Sequence, residues 1–134
     1  SEMCIRDSSQ GFAVLAVSTS GPVGIDVELP TRRIDPLALA GTVFVQAERA
    51  VIESLSEDRR LQRFLAFWTA KEARMKLTGQ GMELAPKSIV LALADGEAVG
   101  YAAPARPAAR LAYADAGRPG AVCAVAVLAG DGRP

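Results

Sequence analysis

Asp26 and Glu28 stand two apart in V-G-I-D-V-E-L (23–29). On an extended strand that spacing sends both carboxylates to one face, while Val23, Ile25, Val27 and Leu29 take the other. A third carboxylate lies in F-L-A-F-W-T-A-K-E-A-R-M-K-L (64–77), a stretch rich in helix formers and free of Gly and Pro. With about 100° between successive residues, Leu61, Phe64, Leu65, Trp68 and Met75 form one apolar stripe. Glu72 falls in the middle of that stripe, with Lys71 and Lys76 on its edges.

Each group has a bland reading. Asp26 and Glu28 suit a solvated strand face, and Glu72 suits an i,i+4 pair with Lys76, worth a few tenths of a kcal/mol. That pair explains an exposed glutamate better than one on a core-facing stripe, where a carboxylate without a partner is costly. The sharper reading is a shared cation. Three carboxylates without His or Cys suit Mg²⁺, which takes a few carboxylates plus water and phosphate oxygens. Lys71 and Lys76 then read as phosphate-binding cations, and the set reads as a site for a magnesium-bound diphosphate.

The composition narrows the alternatives. Fifteen basic and fifteen acidic residues give a formal net charge of zero, so no global field favours nucleic acid or an anionic membrane. The chain has no histidine, which removes the commonest general base and makes zinc improbable. Cys4 and Cys123 form neither a disulfide framework nor a CxxC unit, so a reduced, cytoplasmic setting is expected. No apolar segment has the length of a bilayer span, and no signal peptide is visible.

The pattern also predicts the elements that must position these residues. Phe12–Ser18 and Val23–Leu29 read as a hairpin across Ser18–Pro22. Asp35-Pro36 reads as an N-cap with Pro at the first helical position, opening a helix through Ala40. Val45–Leu55 is a second helix, and Glu57–Leu77 a long third one stopped by Gly79. Strands come next over 88–94 and 97–103, hinged at Asp95-Gly96, then over 109–115 and 121–129. Strands, then helices, then strands imply an α+β fold with an antiparallel sheet packed on the long helix. Residues 1–8 are expected to be an unstructured lead-in, 9–130 the domain and 131–134 a tail.

The two charged stretches also carry a resemblance. V-G-I-D-V-E (23–28), with F-W-T-A-K-E-A-R-M-K (67–76) some forty residues on, resembles the paired signature of the 4′-phosphopantetheinyl transferase superfamily. L-T-G-Q-G-M-E-L-A-P-K-S-I-V-L (77–91) resembles the loop and strand after the second motif in the surfactin-synthetase-activating type. Trp68-Thr69 also points to that type, since holo-acyl-carrier-protein synthases usually carry Phe-Ala there. The resemblance covers about residues 9 to 128. It implies transfer of phosphopantetheine from coenzyme A to a serine of an acyl or peptidyl carrier protein. It assigns Asp26, Glu28 and Glu72 to Mg²⁺ on the CoA diphosphate, and Glu72 also to the general base. Lys71 would contact CoA phosphates, and Lys76 would clamp the leaving group. Glu48, in F-V-Q-A-E (44–48), matches a glutamate the family often has near the site.

Two departures accompany the match. Enzymes of the surfactin type are about twice as long, with two similar halves, and this chain resembles the second half, one side of a pseudo-twofold fold. Where the family has Ser-His-Ser, its His touching CoA phosphate, this chain has Asp7-Ser8-Ser9, so Ser8 stands at the CoA-contacting position. The resemblance thus implies a partial enzyme, expected either to self-associate through the surface a second half would cover or to behave as a poorly soluble fragment. The alternative is a module that binds CoA or a carrier protein without turnover. A structural protein, with Glu72 merely paired to Lys76, is the third reading.

Overall fold

The computed structural model describes residues 3–9, 12–18, 21–30, 33–79 and 85–129, the first two segments as backbone only. The element order is β1 (Met3–Ser9), β2 (Phe12–Ser18), β3 (Val23–Glu28), α1 (Pro36–Val43), α2 (Gln46–Ser54), α3 (Glu57–Thr78), β4 (Val90–Ala94), β5 (Glu97–Ala103), β6 (Ala109–Ala114) and β7 (Val122–Leu128). A 3₁₀ turn, Pro86–Ser88, precedes β4. The fold is α+β, and the strand pairings among the described residues are antiparallel.

Local chemistry accounts for the element ends. Asp35 caps α1, its Oδ1 accepting from the Leu37 and Ala38 amides at 3.1 and 3.3 Å, with Pro36 in the first turn. The Arg60 guanidinium donates to the Ile52 and Glu53 carbonyls, both at 3.3 Å, which satisfies the end of α2. Gly79 ends α3 in the left-handed region, at φ 69°. Asp95 and Gly96 both have positive φ, as a two-residue turn between β4 and β5 requires.

Pairing differs from the expected pattern in two places. β3 pairs with β7, not with β2, and β6 lies on the other side of β7. β2 pairs instead with β1, so Met3–Ser9 is a strand rather than an unstructured lead-in. Strand pairing is made by main-chain groups, and the polar side chains of 3–9 gave it no visible pattern. A strand such as β3, largely buried on both faces, can take its partner from either end of the chain.

The three-stranded sheet β3-β7-β6 packs on α3 through small residues. Gly24 and Asp26 lie opposite Ala126 and Ala124, which lie opposite Leu111 and Tyr113 in turn. Ala124, Ala126, Ala73 and Leu77 form one buried cluster between sheet and helix. A Cβ on Gly24 would overlap the carbonyl oxygen of Ala73 and lie 2.5 Å from the Leu77 nitrogen, so only glycine permits this approach. On the other side of α3, Phe44 packs against Phe64 and Phe67, with ring centroids 4.9 and 5.7 Å apart, in a cluster with Ile52, Leu65 and Leu91. No helix of the described residues is long and apolar enough to cross a membrane.

Candidate functional site

From Phe64 onward, α3 is buried on almost every side. Phe67, Ala70, Ala73 and Leu77 belong to its covered faces, and so do Lys71 and Arg74, both at 0% exposure. Trp68, Glu72 and Lys76, each four residues from the next, are only half-buried. Glu72 is therefore not at the centre of a core-facing stripe, as the helical spacing predicted. It lies on the strip by which a central helix reaches the surface. A single apolar stripe presupposes one buried face, whereas α3 has sheet on one side and α2 and β4 on the other.

β3 meets this strip. Beyond the Gly24 contact, Asp26 turns the same way towards α3, and its Oδ1 accepts from Lys76 Nζ at 2.9 Å. The Asp26 side chain is 8% exposed and that of Lys76 35%, so the pair bridges core and surface. Glu28 is half-buried on the same strand face. Glu72 precedes Lys76 by one helical turn, about 5.4 Å along the axis. Asp26 and Lys76 are thus in contact, with Glu28 and Glu72 flanking them on strand and helix.

Among the described residues, no three His, Cys, Asp or Glu side chains are gathered closely enough to hold a metal ion. Lys76 supplies a positive charge at Asp26. The donor chemistry nonetheless fits a hard cation, since Asp26, Glu28 and Glu72 offer only carboxylate oxygens.

Lys71 has a different environment from the one expected. Its Nζ donates to Glu48 Oε1 at 2.8 Å, to the Pro86 carbonyl at 2.8 Å and to the Ile89 carbonyl at 2.5 Å. Burial pulls this ammonium below its ordinary pKa, and the Glu48 carboxylate opposes that shift. All three N–H groups of the ammonium have acceptors inside the fold, which leaves none for the CoA phosphate contact read from the motif. Glu48 is not in the cleft either. It is 0% exposed, and its oxygens also accept from the Val45 amide at 3.0 Å and the Leu91 amide at 2.8 Å. A Glu at the third position of α2 signals the first of these bonds in sequence, but nothing signals the other. Ser8, on β1, pairs with Ala13 of β2, and its side chain lies outside the described residues.

Arg74, Tyr101 and Tyr113 were not singled out by their spacing. Tyr101 and Tyr113 donate to the carbonyls of Ala70 and Ala66, at 2.5 and 2.6 Å, and so pin β5 and β6 to successive turns of α3. A cavity of about 540 Å³ between α3, β5 and β6, lined by Gln62, Arg63, Glu97 and Tyr113 among others, contains none of the motif carboxylates.

Known proteins share this fold. The solved holo-(acyl-carrier-protein) synthase of Bacillus anthracis superposes with a TM-score of 0.66 at 23% identity, over 80% of this chain and 94% of that one. In sequence, the chain is 35% identical to the 4′-phosphopantetheinyl transferase HetI of Nostoc sp. over 74 residues, 55% of this chain and 31% of that protein. It is 36% identical to the 4′-phosphopantetheinyl transferase psf-1 of Bacillus pumilus over 92 residues, 68% of this chain and 39% of the relative. The match thus spans between 31% and 39% of the length of these two relatives. The family model for the 4′-phosphopantetheinyl transferase superfamily matches residues 22–124. That span holds both the strand of Asp26 and Glu28 and the helix of Glu72 and Lys76, and it makes the chain a member of the 4′-phosphopantetheinyl transferase superfamily.

Proposed function

We propose that this chain carries the phosphoryl-transfer cleft of a Mg²⁺-dependent phosphopantetheinyl transferase of the surfactin-synthetase-activating type. The donor is coenzyme A and the acceptor a serine of an acyl or peptidyl carrier protein. The observation that carries the reading is the Asp26–Lys76 contact, made where β3 crosses α3 and flanked by Glu28 and Glu72. It joins the two motifs in one half-open place.

Asp26, Glu28 and Glu72 would hold the metal, and since they are not gathered in one ligand set here, binding would have to draw them together. Bound Mg²⁺ supplies charge neutralisation on the diphosphate oxygens. Glu72 accepts the proton of the carrier serine hydroxyl as the serine oxygen bonds to the pantetheine phosphorus. The bond between that phosphorus and the bridging diphosphate oxygen breaks, and 3′,5′-ADP leaves with the electron pair. Lys76, on the half-buried strip, stabilises that growing negative charge. Trp68, one turn before Glu72, walls the same strip.

The test is incubation with CoA, Mg²⁺ and an apo carrier protein, then mass spectrometry. A phosphopantetheine mass gain on the carrier serine is expected. CoA-dependent thermal stabilisation without a mass gain would instead assign the chain to binding alone. The absence of both effects would refute the reading.

A further inference from the structure

The Glu48–Lys71 pair is as buried as any group in the fold, yet the proposed chemistry does not use it. One carboxylate and one ammonium join four segments: the start of α2 through Val45, the middle of α3, the 3₁₀ turn through Pro86 and Ile89, and β4 through Leu91. Both side chains are at 0% exposure. The Lys71 ammonium also stands 5.6 Å from the centre of the Phe44 ring. Such pairs are poor sources of stability, because the cost of desolvating two charges offsets most of their attraction. What they fix well is geometry.

Here the geometry matters. Lys71 and Glu72 are neighbours on α3 and project about 100° apart. Gly24 sets how near α3 lies to β3, while Tyr101, Tyr113 and Arg74 tie other turns of the helix to β5, β6 and the Pro107 carbonyl. Lys71 adds an anchor on the opposite flank, one residue from Glu72. Once Lys71 is held by Glu48, Pro86 and Ile89, the directions of Glu72 and Lys76 are fixed as well.

We infer that Glu48 and Lys71 are positioning residues that set the rotation of α3, so that Lys76 meets Asp26 and Glu72 stands beside them. The value of that alignment for catalysis rests on the function proposed above, whereas the alignment itself does not. The inference also removes Lys71 from the phosphate-binding set, although it sits inside the motif.

The experiment is a double-mutant cycle on Asp26→Asn and Lys76→Met, read from unfolding equilibria and run in two backgrounds. In the unsubstituted protein the coupling should be about 3-fold or more in the unfolding constant. In a Glu48→Gln/Lys71→Met background, which removes both buried charges together, it should fall to less than about half of that. Equal coupling in both backgrounds would reduce the pair to a structural tie and overturn the inference. If that background does not fold, Lys71→Arg keeps the charge, changes the reach and should weaken the coupling in the same way.

A second measurement needs no substitution. The Lys71 Nζ signal in ¹⁵N-lysine NMR should stay protected and unmoved when CoA and Mg²⁺ are added. A shift or loss of that signal would return Lys71 to phosphate binding. If CoA binding and transfer are both absent while the coupling depends on Glu48 and Lys71, the functional reading fails and the positioning inference stands.

Discussion

Gly24 and Ala73 meet backbone to backbone, with no room between strand and helix for even a methyl group. The atoms in the way belong to main chain inside α3, so no rotamer change can relieve the overlap. Gly24→Ala should therefore cost about 3 kcal/mol or more, at or beyond the upper end for overpacking substitutions. Urea unfolding measures it. A loss below about 1 kcal/mol would show that α3 and β3 can part without penalty.

Magnesium should raise the thermal midpoint. A ligand that binds only the folded state adds about 2.7 kcal/mol at a hundredfold excess over its dissociation constant. Asp26→Asn should remove most of that gain. Identical midpoints in EDTA and in millimolar Mg²⁺ would count against the three carboxylates as a metal site.

Glu72→Gln should lower transfer by about 10²-fold or more, since the amide keeps the shape but loses both charge and basicity. Lys76→Ala should lower kcat more than it weakens CoA binding, because the leaving-group charge grows in the transition state. Unchanged kcat with weakened CoA binding would make Lys76 a ground-state contact.

Arg74 is fully buried, and its Nη2 donates to the Pro107 carbonyl at 2.7 Å. Its Nε and Nη1 have no hydrogen-bond partner among the described residues. A buried cation with unsatisfied donors carries an uncompensated desolvation cost, which an apolar chain of similar reach removes. Arg74→Met should therefore leave the thermal midpoint unchanged or raise it. A marked fall would mean that the Pro107 bond outweighs the desolvation of the guanidinium.

Burial raises the pKa of the Tyr101 phenol above its ordinary value of 10.0. The folded state then keeps this proton at a pH where the unfolded chain has released it. The resulting stability is fully present below pH 10 and is lost as pH rises above it. Tyr101→Phe should make the alkaline decline shallower, and it should cost about 1 kcal/mol at neutral pH through the lost bond to Ala70. Parallel declines for the two proteins would contradict the shift.

The legible parts of the fold were those governed by local chemistry. Asp35-Pro36 announces the start of α1, Gly79 the end of α3 and Asp95-Gly96 the turn between β4 and β5. The adjacency of β3 and β7 had no such marker, because it joins distant segments that are both largely apolar. Asp26, Glu72 and Lys76 stand out in the sequence as chemistry-bearing residues, but helical spacing sets Glu72 on a core-facing stripe, and a helix buried on almost all sides reverses the meaning of its polar strip. Lys71 shows the same effect from the other direction. A lysine beside a glutamate in a motif looks like a ligand, and only the fold shows its ammonium facing Glu48.

The pairing of β3 with β7 also governs when the cleft can exist. Asp26 lies opposite Ala124, so the strand that carries one half of the site is held by a segment nearly a hundred residues further along the chain. During synthesis, β3 and α3 would leave the ribosome well before β7, and α3 would wait with Ala73 and Leu77 uncovered where Ala124 and Ala126 should lie. A nascent chain halted before Val122 would already contain Asp26, Glu28, Glu72 and Lys76, without the strand that holds β3 in the sheet.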